Sequence, residues 1–376
     1  MSMNIVMQPA SDQFMFEVIT DSYNFKRYQK YAEKHGLVRD VCTLENMDQE
    51  PQNLDDYLKV IQKSDLWLHL RMLAAGTASA VGKLIKGPTK YPTFDQITEI
   101  WRDKILEKPF EKTHTMRGHM KWGVGYEDPA LIHFAVDNNL SVAQVGTVYL
   151  PMSYIIDNMA DYLSDGELEI VNKMIDKFPV IKDKHFLVSP DGLVGKPDTG
   201  EYGDLPTELL GMLEIKCCSP FHHVQNRDGT LSWVDDMEKR QWYHPGEIPL
   251  VYIMQICMQA LSGLIRFDMN GDHIMWFMRW SPWGFSEFKI TFRPLVQMGI
   301  ISTVLYLSLK QRITTEQDLP FEYMEYEKPL VSVLTEYYHQ IKEQMTHRYI
   351  DHFNLYPEFH IYHKVTENFK FNVNDD

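Results

Sequence analysis

Cysteine is scarce in this chain: Cys42, Cys217, Cys218 and Cys257 are the four among 376 residues. No CxxC pair occurs, which argues against a four-thiolate iron–sulfur centre, and the adjacent Cys217 and Cys218 are poorly placed to bridge each other in a strand. They read as reduced thiols. The opening "MSMNIVMQPASDQFMF" lacks a basic stretch followed by an apolar run, so no secretory signal is expected. The longest apolar run, "PLVYIMQICMQALSGLIRF", is interrupted by Gln255, Gln259 and Ser262 and makes a weak membrane span. The expected setting is therefore intracellular and cytoplasmic, with no membrane partner.

Positive charge is also in deficit. Lys and Arg number 37 against 52 Asp and Glu, a net charge of −15, which disfavours non-specific binding to nucleic acid by the body of the protein. A lined cleft can still be positive on an acidic body. What the chain does have is ordinary for a folded soluble protein: 44% hydrophobic, 24% charged and 12% aromatic residues argue against long disorder.

Residues 1–60 mix short apolar clusters with the acidic stretch "ENMDQEPQNLDDYL" and read as an N-terminal extension. Helical text follows in "DLWLHLRML" and "TASAVGKLI", is broken by the prolines of "KGPTKYPTF", and resumes in "DQITEIWRDKIL". After residue 140, short runs bounded by turn residues predict strands: "VGTVYLPM", "HFLVSP", "GMLEIKCC", "DHIMWFMRW" and "FSEFKITFR". A helical insertion is expected over about 152–180, and a further helix from Pro249 to Arg266. The fold class is α/β (α+β), a mixed sheet flanked by helices. Its core is expected over 61–295, followed by a mainly helical extension, 296–376, that includes "VSVLTEYYHQIKEQMTHRYI".

Within "LEIKCCSP", alternate strand residues share a face, so Glu214 and Lys216 project together while Leu213, Ile215 and Cys217 point the other way. On its own the common tripeptide reads first as a charge pair on a solvent-washed strand. "HFLVSPDGL" delivers Asp191 at an Asp-Gly turn, either a plain hairpin or, if the two strands pair, a carboxylate beside Glu214. Two carboxylates and a lysine converging on one point would suit a hard cation such as Mg2+ and phosphodiester hydrolysis. "KWGVGYEDPALIHF" places Glu127 just before a helix, with Asp128 as N-cap and Pro129 in the first turn; Glu127 is then a capping acid or a third site carboxylate. Arg71, Thr77 and Ser79 form a donor set suited to phosphate, or simply part of an amphipathic helix pair. On the helix after Pro249, Tyr252, Gln255, Gln259 and Ser262 fall on one stripe of an otherwise apolar surface. That stripe lines a cavity or closes an internal hydrogen-bond network.

Taken in order, "W…R…TAS", "WG..YE..A", "SPDGL", "LEIKC" and "Y..Q...Q" resemble the bacteriophage lambda exonuclease family, the YqaJ-like viral recombinases within the PD-(D/E)xK nuclease superfamily. The resemblance runs from Trp67 to about Arg293. It implies that Asp191, Glu214 and the backbone carbonyl of Ile215 bind metal, that Lys216 is the catalytic lysine, and that Glu127 is an additional acid near a second metal or its waters. It further implies that Arg71, Ser79 and Ser189 hold a 5′-phosphate and that Gln255 touches the reactive region. Departures are Pro129 close behind Glu127 and a second cysteine, Cys218, after the lysine.

The expectation is a nuclease using Mg2+, with Mn2+ substituting and two ions bound, that digests linear double-stranded DNA from 5′ ends. An annealing protein would be its partner, and a phage- or virus-infected cell its setting, including the nucleus of a eukaryotic host. Trimeric and monomeric relatives leave the oligomeric state open. The competing readings are an endonuclease on DNA or RNA built on the same metal site, and a non-catalytic nucleic-acid-binding module.

Overall fold

The computed structural model describes residues 22–82, 114–198, 203–217, 221–225, 231–235, 248–281, 284–315, 323–351 and 371–372. Its first stretch contains α1 (Tyr23–Lys34), β1 (Val38–Asp40), α2 (Leu54–Leu58), α3 (Asp65–Leu73), β2 (Gly76–Thr77) and α4 (Ala78–Val81). The Ser64 hydroxyl caps α3 by accepting from the Trp67 N–H, with Asp65 in the first turn where the helix dipole favours an acid. Then come α5 (His114–Asn138), β3 (Ser141–Gln144), β4 (Val148–Pro151), α6 (Met152–Asn158) and α7 (Asp165–Lys177), the last opened by a capping box between Ser164 and Glu167. Strands β5 (His185–Val188), β6 (Gly192–Gly195), β7 (Leu209–Cys217), β8 (Phe221–Gln225) and β9 (Leu231–Asp235) precede α8 (Leu250–Phe267). The rest is β10 (Ile274–Ser281), β11 (Gly284–Thr291), α9 (Phe292–Thr315), α10 (Lys328–Gln344), β12 (Thr346–Asp351) and β13 (Phe371–Asn372).

Seven strands form one mixed sheet in the order β1-β3-β6-β7-β10-β11-β12. The parallel pair β7 and β10 is joined through α8, as a parallel pair requires a crossover. Side-chain alternation then assigns the two faces of β7. Met212 joins Ile253, Ile256, Phe277 and Phe288 on the side covered by α8 and α9. Leu213 and Ile215 pack with Tyr126, Phe134, Met278 and Trp280 on the α5 side. Glu214 and Lys216, in phase with Met212, therefore face α8. Both α8 and α9 are long and apolar enough to cross a membrane by length and composition, yet most of each is buried within the fold.

The architecture is the expected mixed sheet flanked by helices, with several local differences. The "HFLV" strand β5 lies in a separate three-stranded sheet, β2-β5-β4, and does not pair with β7. Glu127 and Asp128 do not precede a helix: α5 runs continuously through them with Pro129 inside it. Inside a helix proline loses the N–H that would reach back one turn and crowds the carbonyl there, a cost that burial of Tyr126, Ala130, Leu131 and Phe134 against the sheet offsets. The "THRYI" segment, expected as the end of a helix, is the edge strand β12 beside β11. Its counterpart β1, from the expected N-terminal extension, pairs with β3, so the sheet extends beyond residues 61–295 on both sides. The expected "DQITEIWRDKIL" helix lies outside the described residues.

Gly146, just after β3, shows how tightly the segment before α3 is held. A Cβ there would lie 1.9 Å from the Val60 carbonyl oxygen, a backbone atom that cannot swing aside. Gly146→Ala is expected to lower stability by about 2 kcal/mol or more, measured by urea unfolding.

Candidate active site

Strand β6 runs antiparallel to β7, with Gly192 opposite Leu213. Asp191 extends that pairing by one residue: its N–H donates to the Leu213 carbonyl (3.1 Å), and its Oδ2 accepts from the Ile215 N–H (2.6 Å). The strand that brings Asp191 to Glu214 is thus the one after the Asp-Gly turn, not the "HFLV" run before it. The Asp191 carboxylate, the Ile215 backbone and Glu214 lie side by side.

The Glu214 side chain is 1% exposed. Lys216 Nζ and Gln255 Nε2 both donate to its Oε1, and Gln259 Nε2 donates to its Oε2. Gln259 also reaches the Ser189 carbonyl (3.3 Å), while its own Oε1 is buried without a partner among the described residues. The polar stripe on α8 therefore lines this site through Gln255 and Gln259. Tyr252 joins it, its ring centroid 5.4 Å from Lys216 Nζ, whereas Ser262 turns back to the Gln259 carbonyl.

Burial and the neighbouring charges of Glu214 and Glu127 push the Asp191 carboxyl well above its ordinary range, against the opposing pull of Lys216 and the Ile215 N–H. Burial works against the Lys216 ammonium, but the Glu214 and Asp191 carboxylates outweigh it and raise its pKa. Lys216 is therefore charged at neutral pH. As an ammonium it can donate hydrogen bonds and offset negative charge.

Glu127, on α5, comes close enough to bear on Asp191, and its Oε2 is held by Lys63 Nζ at 2.8 Å. Asp128, expected as a cap, instead accepts from Gln144 Nε2 (3.4 Å). Arg71 lies over the Trp67 ring at 4.0 Å and reaches Ser79 Oγ at 3.5 Å, which in turn is 3.3 Å from Thr77 Oγ1. Burial lowers the Arg71 pKa to about 10, and among the described residues no carboxylate pairs with it. The Ser189 hydroxyl accepts from Trp67 Nε1 at 3.1 Å. Trp67, Ser189 and Gln259 thus link the Arg71 group to the Glu214 group in one chain of contacts.

With this geometry, one comparison decides the family. The model of the YqaJ-like viral recombinase domain matches residues 66–263, just over half of the chain. The chain belongs to that family. The family is generally one of nucleases acting in viral recombination, and the mixed sheet with flanking helices is consistent with the PD-(D/E)xK nuclease fold. No curated protein and no solved structure gives a significant match.

Gln62 and Lys63 carry no local signal in the sequence, whereas Gln259 stands on the polar stripe of α8 and Trp67 opens the motif order.

No group of three or more His, Cys, Asp or Glu side chains gathers at metal-binding distances among the described residues. The buried Glu214 carboxylate and the partly buried Asp191 carboxylate, beside a strand backbone, nevertheless fit Mg2+ or Mn2+, which bind through one or two protein carboxylates and water. The crowding that raises Asp191 is what a divalent cation there would relieve.

Because the fold raises Asp191 above its unfolded value, ionising it works against folding. This penalty is absent below the unfolded carboxyl pKa of about 3.9 and grows as pH rises from there through the raised folded value. Asp191→Asn, which keeps an oxygen for the Ile215 N–H, is expected to raise Tm at neutral pH without divalent ions and to remove stabilisation by added Mn2+. Calorimetry with and without Mn2+ measures both.

Proposed function

We propose that the protein is a Mg2+-dependent exonuclease that degrades one strand of linear double-stranded DNA from its 5′ end, in recombination or repair of viral DNA. The observation that carries this reading is Arg71. It is a half-buried guanidinium with no acidic partner among the described residues, joined through Trp67, Ser189 and Gln259 to the carboxylate–lysine site. A buried unpaired cation is unfavourable unless an anion completes it. A terminal 5′-phosphate, held by Arg71 with Ser79 and Ser189, would do so.

Asp191, Glu214 and the Ile215 carbonyl would hold one divalent ion, and Glu127 the second or its waters. Such ions acidify water and offset charge on a phosphoryl group. The protein's part is to hold everything in line. Gln255 and Gln259 fix the direction of the Glu214 carboxylate. The Lys216 ammonium, on the same strand face, orients the attacking water or stabilises the developing phosphoryl charge. Water oxygen bonds to phosphorus, the bond to the 3′-oxygen breaks, and that oxygen takes a proton. The released mononucleotide keeps its 5′-phosphate, and the shortened strand carries a new one that can re-enter the Arg71 site. The other strand is left for an annealing protein.

The test is a linear duplex with a 5′-phosphate, labelled at the opposite end of the same strand, incubated with Mg2+ beside a closed circle. The expected result is progressive loss from the 5′ end with the circle intact. Cutting of the circle would favour an endonuclease, and no cutting would leave a binding module. Lys216→Ala should lower the rate by about a hundredfold or more while the protein stays folded by circular dichroism. Arg71→Ala should remove most of the preference for a 5′-phosphate over a 5′-hydroxyl end, measured as a ratio of rates.

A further inference from the structure

Glu127 is already engaged: Lys63 Nζ stands 2.8 Å from its Oε2, with the lysine side chain 49% exposed and the glutamate 26%. Two features separate this pair from an ordinary surface ion pair. Lys63 has a φ of +70°, a left-handed backbone that glycine adopts freely and lysine, with its Cβ, does not. The preceding residue pins that turn to the site. Gln62 Nε2 donates to the carbonyls of Val145 (2.8 Å) and Pro190 (3.1 Å), and Pro190 immediately precedes Asp191. A half-exposed ion pair adds little to stability and a left-handed lysine subtracts from it, so stability does not account for the arrangement. Its effect is to set a positive charge against a carboxylate that bears on Asp191.

We propose that Lys63 is a tethered cation that competes with the second divalent ion for Glu127, and so raises the metal concentration at which that position fills. The inference rests on the two-ion reading above. Lys63 acts through Glu127 and is a positioning residue.

The experiment is titration of the full-length protein with Mn2+ alone, followed by calorimetry and by the electron paramagnetic resonance of free Mn2+. Wild type should bind one tighter and one weaker ion. Lys63→Met should tighten the weaker site by about three- to fivefold, the scale of a half-exposed ion pair, and leave the tighter one unchanged. Lys63→Arg should behave as wild type, and Glu127→Gln should lose the weaker site with either residue at 63. Lys63→Gly, which relieves the left-handed backbone as it removes the ammonium, should melt no lower than wild type and show the same tightening. Unchanged affinity at the weaker site in Lys63→Met, or an equal shift at both sites, would overturn the competition. If Lys63→Met weakens DNA binding while Mn2+ binding is unchanged, Lys63 is a DNA contact instead. If wild type binds no Mn2+, the metal-nuclease reading itself fails and takes this inference with it.

Discussion

The site is organised around a buried carboxylate, Glu214, whose side chain is 1% exposed. Glu214 sits in the central strand of a seven-stranded sheet, and its two oxygens take hydrogen bonds from Lys216, Gln255 and Gln259. Burying a charge is unfavourable unless it is paired and hydrogen-bonded, so these donors together offset the cost of holding Glu214 there. This accounts for a polar stripe on α8, a helix otherwise committed to the core. It also accounts for the unpartnered Gln259 Oε1: with its amide N–H2 serving both Ser189 and Glu214, the oxygen is left in the core at a cost of about 1–3 kcal/mol.

The opposite face of the sheet shows what the same type of position becomes without a site. There Trp280 Nε1 donates to His133 Nδ1 at 2.9 Å, and burial pushes the His133 pKa down to about 3. A neutral histidine between Trp280 and the edges of Phe25 and Tyr28 is part of the packing. Its Nδ1 accepts the Trp280 N–H, and burial keeps the ring neutral. At Asp191, by contrast, the carboxylates of Glu214 and Glu127 bear on a third, and Lys216 and the Ile215 N–H oppose them there without cancelling their effect. That residual like-charge crowding distinguishes a site that would take up a cation from a satisfied core network.

Much of the local structure was legible in the chain. The apolar runs after residue 140 form strands, and the helix after Pro249 begins and ends within a residue or so of its expected limits, because proline at its start and a left-handed Asp268 after it mark both boundaries. What local pattern misread were cases decided by distant partners. Pro129 is a strong signal for a helix start, yet burial of the residues around it carries α5 straight through. "THRYI" continues a helical periodicity on paper, but the free edge of β11 captures it as a strand. "HFLV" reads like any core strand, and only its pairing with β2 and β4 shows that it belongs to another sheet.

By itself the sequence determined that Glu214 and Lys216 share one face of a strand, and that Gln255 and Gln259 share one face of a helix. Those are consequences of backbone periods of two and 3.6 residues, which need no other part of the molecule. Only the tertiary structure decided that these two faces meet, that β6 sets Asp191 beside them, and that Lys63 reaches Glu127 from a segment 64 residues earlier in the chain. Such proximities arise from sheet order and core packing, sums over the whole fold that no short stretch of residues encodes.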